Sequence, residues 1–113
     1  MPSTPRYEVV WSDAAAGDFE GLFQFIAIEN PVNAANACAR IKKRADALHH
    51  LPQRGRGVPE LKAIGLDLYR EIVIDPYRLL YRIKDRNVWV LGLFDGRRDL
   101  EDVLLDRLTR PPV

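Results

Sequence analysis

The side chains in this sequence that could do chemistry are mostly arginines. Near the C-terminus the hexapeptide FDGRRD, Phe94 to Asp99, crowds four charges around one glycine. Upstream, YREIVIDPYRLLYRI places Glu71, Arg78 and Arg82 in alternating segments. Clustered guanidinium groups suit a phosphate or an acidic partner, and on a nuclease they stabilise the charge that develops during phosphoryl transfer while a carboxylate acts as base. The same residues also have a structural use. Asp95 and Asp99 can neutralise Arg97 and Arg98 at a strand-to-helix corner, and Glu71 can pair with Arg78 and Arg82 across a sheet. Other catalytic schemes fail on inventory. The serines are Ser3 and Ser12, so a serine triad has no material, and the adjacent His49 and His50 cannot converge on a metal as an i, i+4 pair does. RGRG, Arg54 to Gly57, lacks the strand-before, helix-after context and the lysine of a phosphate loop, and reads as a solvated basic loop. No metal or cofactor is expected.

These groups must be carried by a small mixed fold. RYEVVW alternates as a short strand, with Tyr7, Val9 and Trp11 on one face. Ser12 or Asp13 caps a helix with Ala15, Phe19, Leu22, Phe23 and Ile26 at helical spacing, and ENP ends it. A second helix carries Ala34, Ala37, Cys38, Ile41, Ala45 and Leu48, mostly small, so the two should form a close antiparallel hairpin. The first helix is acidic and the second basic, which suggests attraction between them. Proline, glycine and arginine mark Leu51 to Asp67 as a long connection and the expected mobile segment. The period then becomes two. LYREIVI, YRLLYRI and NVWVLGLF form an antiparallel meander with two-residue turns at Asp75-Pro76 and Asp85-Arg86. In that register Tyr77, Leu79, Tyr81, Ile83, Val88, Val90 and Phe94 face the hairpin. Arg78, Leu80, Arg82, Trp89, Leu91, Leu93 and Asp95 lie opposite, on a face too apolar to stand bare. A short closing helix, capped by Asp99 and running through Leu100, Val103, Leu104 and Leu108, covers part of it. The expected class is α+β: an N-terminal strand, a two-helix hairpin on an antiparallel sheet of about four strands, and a short C-terminal helix.

At 113 residues and 47% hydrophobic composition, residues 1–113 are expected to form one domain with a real core. The formal net charge of +1 argues against strong generic nucleic-acid binding. Cys38 is the sole cysteine, among alanines, and reads as a packing residue. No stretch approaches the roughly 20 apolar residues of a membrane span. A cytoplasmic protein is expected.

The order strand, helix, helix, three-strand meander, with PYRLLYR and the strand-end DGRRD, resembles the RelE/ParE family of bacterial toxins from type II toxin-antitoxin modules. The resemblance runs from Tyr7 to about Leu108, and Asp95 stands where the family often has histidine. It implies a toxin, associated with plasmid stabilisation or growth arrest, that is held inactive by an antitoxin of ribbon-helix-helix or similar type. Two targets are open: ParE-type members poison DNA gyrase, and RelE-type members cut mRNA on the ribosome. Arg78 and Arg98 match the arginine positions of the nuclease set, with Glu71 as the candidate base. Tyr69 and Glu71 stand where such a nuclease has lysines, and Leu104 where it has a tyrosine, which favours the gyrase-directed type. A non-toxic homologue that only binds antitoxin is the third possibility. Arg97, Arg98, Arg78 and Arg82 are the target-binding candidates; Trp89, Leu91, Leu93 and Phe23 are the antitoxin-binding candidates.

Overall fold

The structure is a computed structural model that describes residues 6–109, the side chains of residues 106, 108 and 109 excepted. The expected Leu108 contact therefore lies outside the described side chains. Strand β1 (Glu8–Trp11) leads into helix α1 (Asp13–Glu29), whose N-cap Ser12 accepts a hydrogen bond from the Ala15 N–H at 3.1 Å. Asn30 ends α1 and caps α2 (Pro31–Asp46), its side chain accepting from the Asn33 N–H at 3.0 Å while Pro31 sits in the first helical turn. After two single turns of 3₁₀ helix come β2 (Arg56–Gly57) and the short helix α3 (Pro59–Lys62). The meander follows as β3 (Tyr69–Ile74), β4 (Tyr77–Lys84) and β5 (Asn87–Asp95), and α4 (Leu100–Thr109) closes the described chain.

The sheet has five strands in the order β1-β5-β4-β3-β2. The meander is antiparallel as expected, with Ile74 opposite Tyr77 and Lys84 opposite Asn87 across the two-residue turns. Two features exceed the expectation of about four antiparallel strands. β1 returns to pair parallel with β5, and β2 adds two residues beside β3. The helix hairpin packs on one face. Ala15, Ile41, Ala45 and Leu48 meet Ile72, Ile74, Leu79, Tyr81, Val88, Val90 and Leu93 in the main core. Small side chains on α2 allow this approach, and Cys38 is buried among them, as a packing residue should be. The opposite charges of α1 and α2 do not pair among the described residues. Arg40 and Arg44 instead donate to the carbonyls of Asp75 and Val73, which fixes α2 over the β3–β4 turn.

The face assignment changes partway along β5. Leu80 lies opposite Gly92 but Tyr81 opposite Val90, so Leu91 is an extra residue, a β-bulge. Beyond it the alternation reverses. Leu93 turns into the hairpin core, and Phe94 turns to the other face, where it joins Val58, Leu61, Leu80 and Leu100 in a second cluster. The expected placements of Leu93 and Phe94 are thus exchanged. The long connection is also more ordered than its composition suggests. Pro52, Val58 and Leu61 are buried, and Gly55 fits so closely against Tyr81 that its N–H donates to the phenol oxygen, which in turn donates to the Pro52 carbonyl.

Candidate functional site

The outer sheet face, away from the hairpin, holds the charged constellation. The β3–β4 register puts Glu71 opposite Leu80, so Arg78 and Arg82 are its diagonal neighbours, as the two-residue turn requires. Glu71 is fully buried, and its carboxylate accepts from Arg78 Nε at 2.7 Å and from Arg56 Nε at 2.7 Å. Arg78 is 8% exposed and reaches in a second direction, donating from Nη1 and Nη2 to the two carboxylate oxygens of Glu60, each at 2.8 Å. Its guanidinium also lies 5.3 Å from the centre of the Phe94 ring. The bonds from Arg78 hold the Glu60 carboxyl down to about 2, and those from Glu60 and Glu71 raise the Arg78 guanidinium further above its already high value. Arg78 is therefore a fixed cation with two carboxylates around it.

Arg82 does not share Glu71. It stands directly opposite Tyr69 on one side and Trp89 on the other, and its buried Nε has no hydrogen-bond partner. Two participants, Glu60 and Arg56, come from the connection that composition alone would leave unassigned. Arg56 reaches Glu71 because β2 pairs it directly opposite that residue. No periodicity in the sequence signals a two-residue strand.

The FDGRRD corner divides its arginines. Arg97 folds back on Asp95, donating from Nε at 2.9 Å and from its backbone N–H at 2.9 Å, and the Asp95 carboxyl is thereby held at about 2. Arg98 gives its backbone N–H to the Asp95 carbonyl at 3.0 Å and is exposed; among the described residues its guanidinium has no ion-pair partner. Gly96 is required by close approach, since a Cβ there would stand 2.9 Å from the Pro76 carbonyl oxygen. Asp99 caps α4 by accepting from the Glu101 N–H. Both arginines line a cleft of 760 Å³ between α1 and the end of β5, together with Asp13, Gly17, Gly21, Phe25 and Tyr77.

Past Val90, where β1 ends, the edge of β5 is clamped from both faces. Asp18 of α1 accepts from the Leu93 N–H at 3.1 Å, and Arg107 of α4 donates to the Leu91 carbonyl at 3.0 Å and to Asp18 itself. This clamp was not foreseen in the sequence, because it depends on the bulge. Of the apolar candidates, Trp89 is 37% and Phe23 41% exposed and Leu91 is half-buried, whereas Leu93 is buried in the main core. His49 and His50 are exposed near the end of α2, and no group that could hold a metal ion occurs among the described residues. No described helix is long and apolar enough to cross a membrane.

A strand, a helical hairpin and a meander ending in an arginine-rich corner are the elements on which the resemblance to toxins of type II toxin-antitoxin modules rests. Residues 9–100 match the family model described as ParE toxin of type II toxin-antitoxin system, parDE, and the chain belongs to that family. It is 30% identical over 93 residues to toxin ParE3 of Caulobacter vibrioides, covering 81% of this chain and 89% of that toxin. It is 29% identical over 92 residues to toxin RelE2 of the same organism, covering 80% of this chain and 97% of that toxin. A solved structure titled as the chromosomal ParDE system from P. aeruginosa shares the fold, with TM-score 0.66 over 81% of this chain and 98% of that one at 18% identity. Membership of a toxin-antitoxin family implies a cognate antitoxin as partner.

Proposed function

We propose that this chain is a ParE-type toxin that acts on DNA gyrase and is neutralised by a cognate antitoxin, with Arg98 and the adjoining cleft as the target contact. The observation that carries this reading is the state of Arg78. A ribosome-dependent nuclease needs a cation there that is free to meet a scissile phosphate, with a base and an acid beside it. Here Arg78 is buried and bonded to both Glu71 and Glu60, and the two carboxylates would repel the phosphate. Arg97 is engaged by Asp95 and serves to shape the corner, which leaves Arg98 as its outward cation. Antitoxin binding falls to exposed apolar surface, with Trp89, Leu91 and Phe23 as its candidates.

Purified chain freed of its antitoxin should inhibit gyrase supercoiling or trap cleaved DNA, and translating ribosomes should keep their mRNA intact. Arg98→Glu should abolish the gyrase effect without unfolding the domain, because exposed substitutions change stability by less than about 0.5 kcal/mol. Codon-phased mRNA cleavage that is lost in Arg78→Ala, with gyrase unaffected, would replace this reading with the RNA-cleaving one.

A further inference from the structure

The outer sheet face has a second feature that toxin action at Arg98 leaves unused, although its Trp89 and Leu91 are also candidates for the antitoxin contact. Tyr69, Arg82 and Trp89 are direct cross-strand partners on β3, β4 and β5, so they form one row, aromatic, cation, aromatic, across three strands. Neighbouring strands lie about 4.8 Å apart, which sets the backbones of Tyr69 and Trp89 roughly 10 Å from each other with Arg82 on the strand between them. Lys84 and Asn87 form the next row. Together with Asp85 and Leu91 these residues line a groove of 420 Å³. That is near the lower end of the roughly 300–1,000 Å³ of small-molecule sites.

The charges in this groove contrast with those at Arg78. Arg82 and Lys84 have no carboxylate partner among the described residues, and Asp85 is the one acidic group in the lining. Arg82 Nε is buried without a hydrogen-bond partner, so no protein acceptor engages the guanidinium at that atom. Trp89 is 37% exposed although it is the largest apolar side chain on this part of the sheet. A ligand that satisfies the row needs a flat ring and an anion within one repeat. An acidic peptide offers the anion but leaves the rings without a match, whereas a nucleotide offers both. Exposed aromatics on adjacent strands with basic neighbours are a general way for a sheet to hold bases.

We propose that this groove binds a nucleotide unit, its phosphate accepting from Arg82 and Lys84 and its base stacking on Trp89 against the Tyr69 side, with the Asn87 amide at the base edge. The unit can belong to a free nucleotide or to a single strand, and with two cations in the groove either contact is local, with a shallow salt dependence.

The test follows the anisotropy of a fluorescently labelled oligodeoxyadenylate of about six nucleotides, within the usual site range, against the full chain in low salt, with tryptophan quenching recorded alongside. Competition by AMP and by an abasic phosphate chain of the same length separates the sources. Saturable binding with quenching is expected, weakened by about tenfold or more in Trp89→Ala, the equivalent of one lost stacking contact. Arg82→Gln should weaken binding similarly, and Lys42→Ala on α2 should not. Competition by AMP at concentrations equal to the labelled strand's would point to a free nucleotide, and competition only at far higher concentrations to a strand; both support the site. No binding at millimolar ligand, equal competition by the abasic chain, or equal competition by a polyglutamate peptide would overturn it. The Trp89 variant retains a meaning even if Arg82→Gln fails to fold, because Trp89 is partly exposed.

Discussion

Replacing Glu71 by alanine should destabilise this domain more than any exposed charge substitution. The carboxylate is fully buried, and its principal partner, Arg78, has a side chain only 10% exposed. Removing one member of a buried, hydrogen-bonded pair costs about 3–5 kcal/mol, because the remaining charge stays out of water without compensation. Two considerations place the expectation at the lower end. Arg78 keeps its bidentate contact with Glu60, and the Arg56 side chain is 59% exposed, so its lost pair contributes little. A loss of about 3 kcal/mol corresponds to a fall in Tm of roughly 12 °C at this chain length. Urea unfolding followed by far-ultraviolet circular dichroism gives the free energy. Glu71→Gln should lose less, since an amide oxygen can still accept from one arginine. The double variant Glu71→Met, Arg78→Met should recover much of the loss, because apolar groups of similar volume remove the stranded charge. A Glu71→Ala loss below about 1 kcal/mol, or no recovery in the double variant, would refute the argument that this cluster is a mutually dependent buried unit.

Acid should weaken the fold through Glu60 and Asp95, whose arginine partners hold both at about 2. A depressed carboxyl contributes stability above its unfolded value and loses it as pH falls through its folded value, so the urea midpoint should drop between about pH 4.5 and 2; Glu60→Gln should reduce that drop. Gly17→Ala should raise stability by up to about 1 kcal/mol, since the added methyl meets nothing within 4 Å and glycine is a poor helix former. Gly55→Ala should do the reverse, because its Cβ would overlap the Tyr81 hydroxyl that bonds the Pro52 carbonyl. Thermal melts of the two variants should therefore move in opposite directions. Asp18→Ala should cost about 1–3 kcal/mol by stranding the Leu93 N–H and Arg107, measured by the same unfolding assay.

The elements of this fold were legible because their signals are local. A capping serine, a proline after asparagine and two-residue turns fix α1, α2 and the meander within short windows, and the antiparallel register followed from the turns. What failed was an assumption about continuity. Strict alternation along NVWVLGLF carries Phe94 to the hairpin and Leu93 away from it, and one extra residue at Leu91 exchanges them. Glycine at 92 is a signal for such a bulge, since glycine inside a strand often marks one. The parallel return of β1 to β5 and the two-residue β2 have no local signal at all. They arise from tertiary pairing between segments far apart in the chain.

The same distinction governs the candidate site. The link between Glu71 and Arg78 could be read from spacing, because diagonal neighbours across a known turn are a geometric consequence of register. The division between Arg97 and Arg98 could also be anticipated, since an aspartate two residues before an arginine can fold back on it. Which cation lacks a partner could not be read in this way. Arg78 and Arg82 occupy equivalent diagonals of one glutamate, and local sequence treats them alike. Glu60 breaks the tie by reaching Arg78 from α3, after which Arg78 is held between two carboxylates and Arg82 is left opposite Tyr69 and Trp89 without a carboxylate partner among the described residues. A connection that reads as a loop thus decides which arginine is structural and which remains able to bind something else.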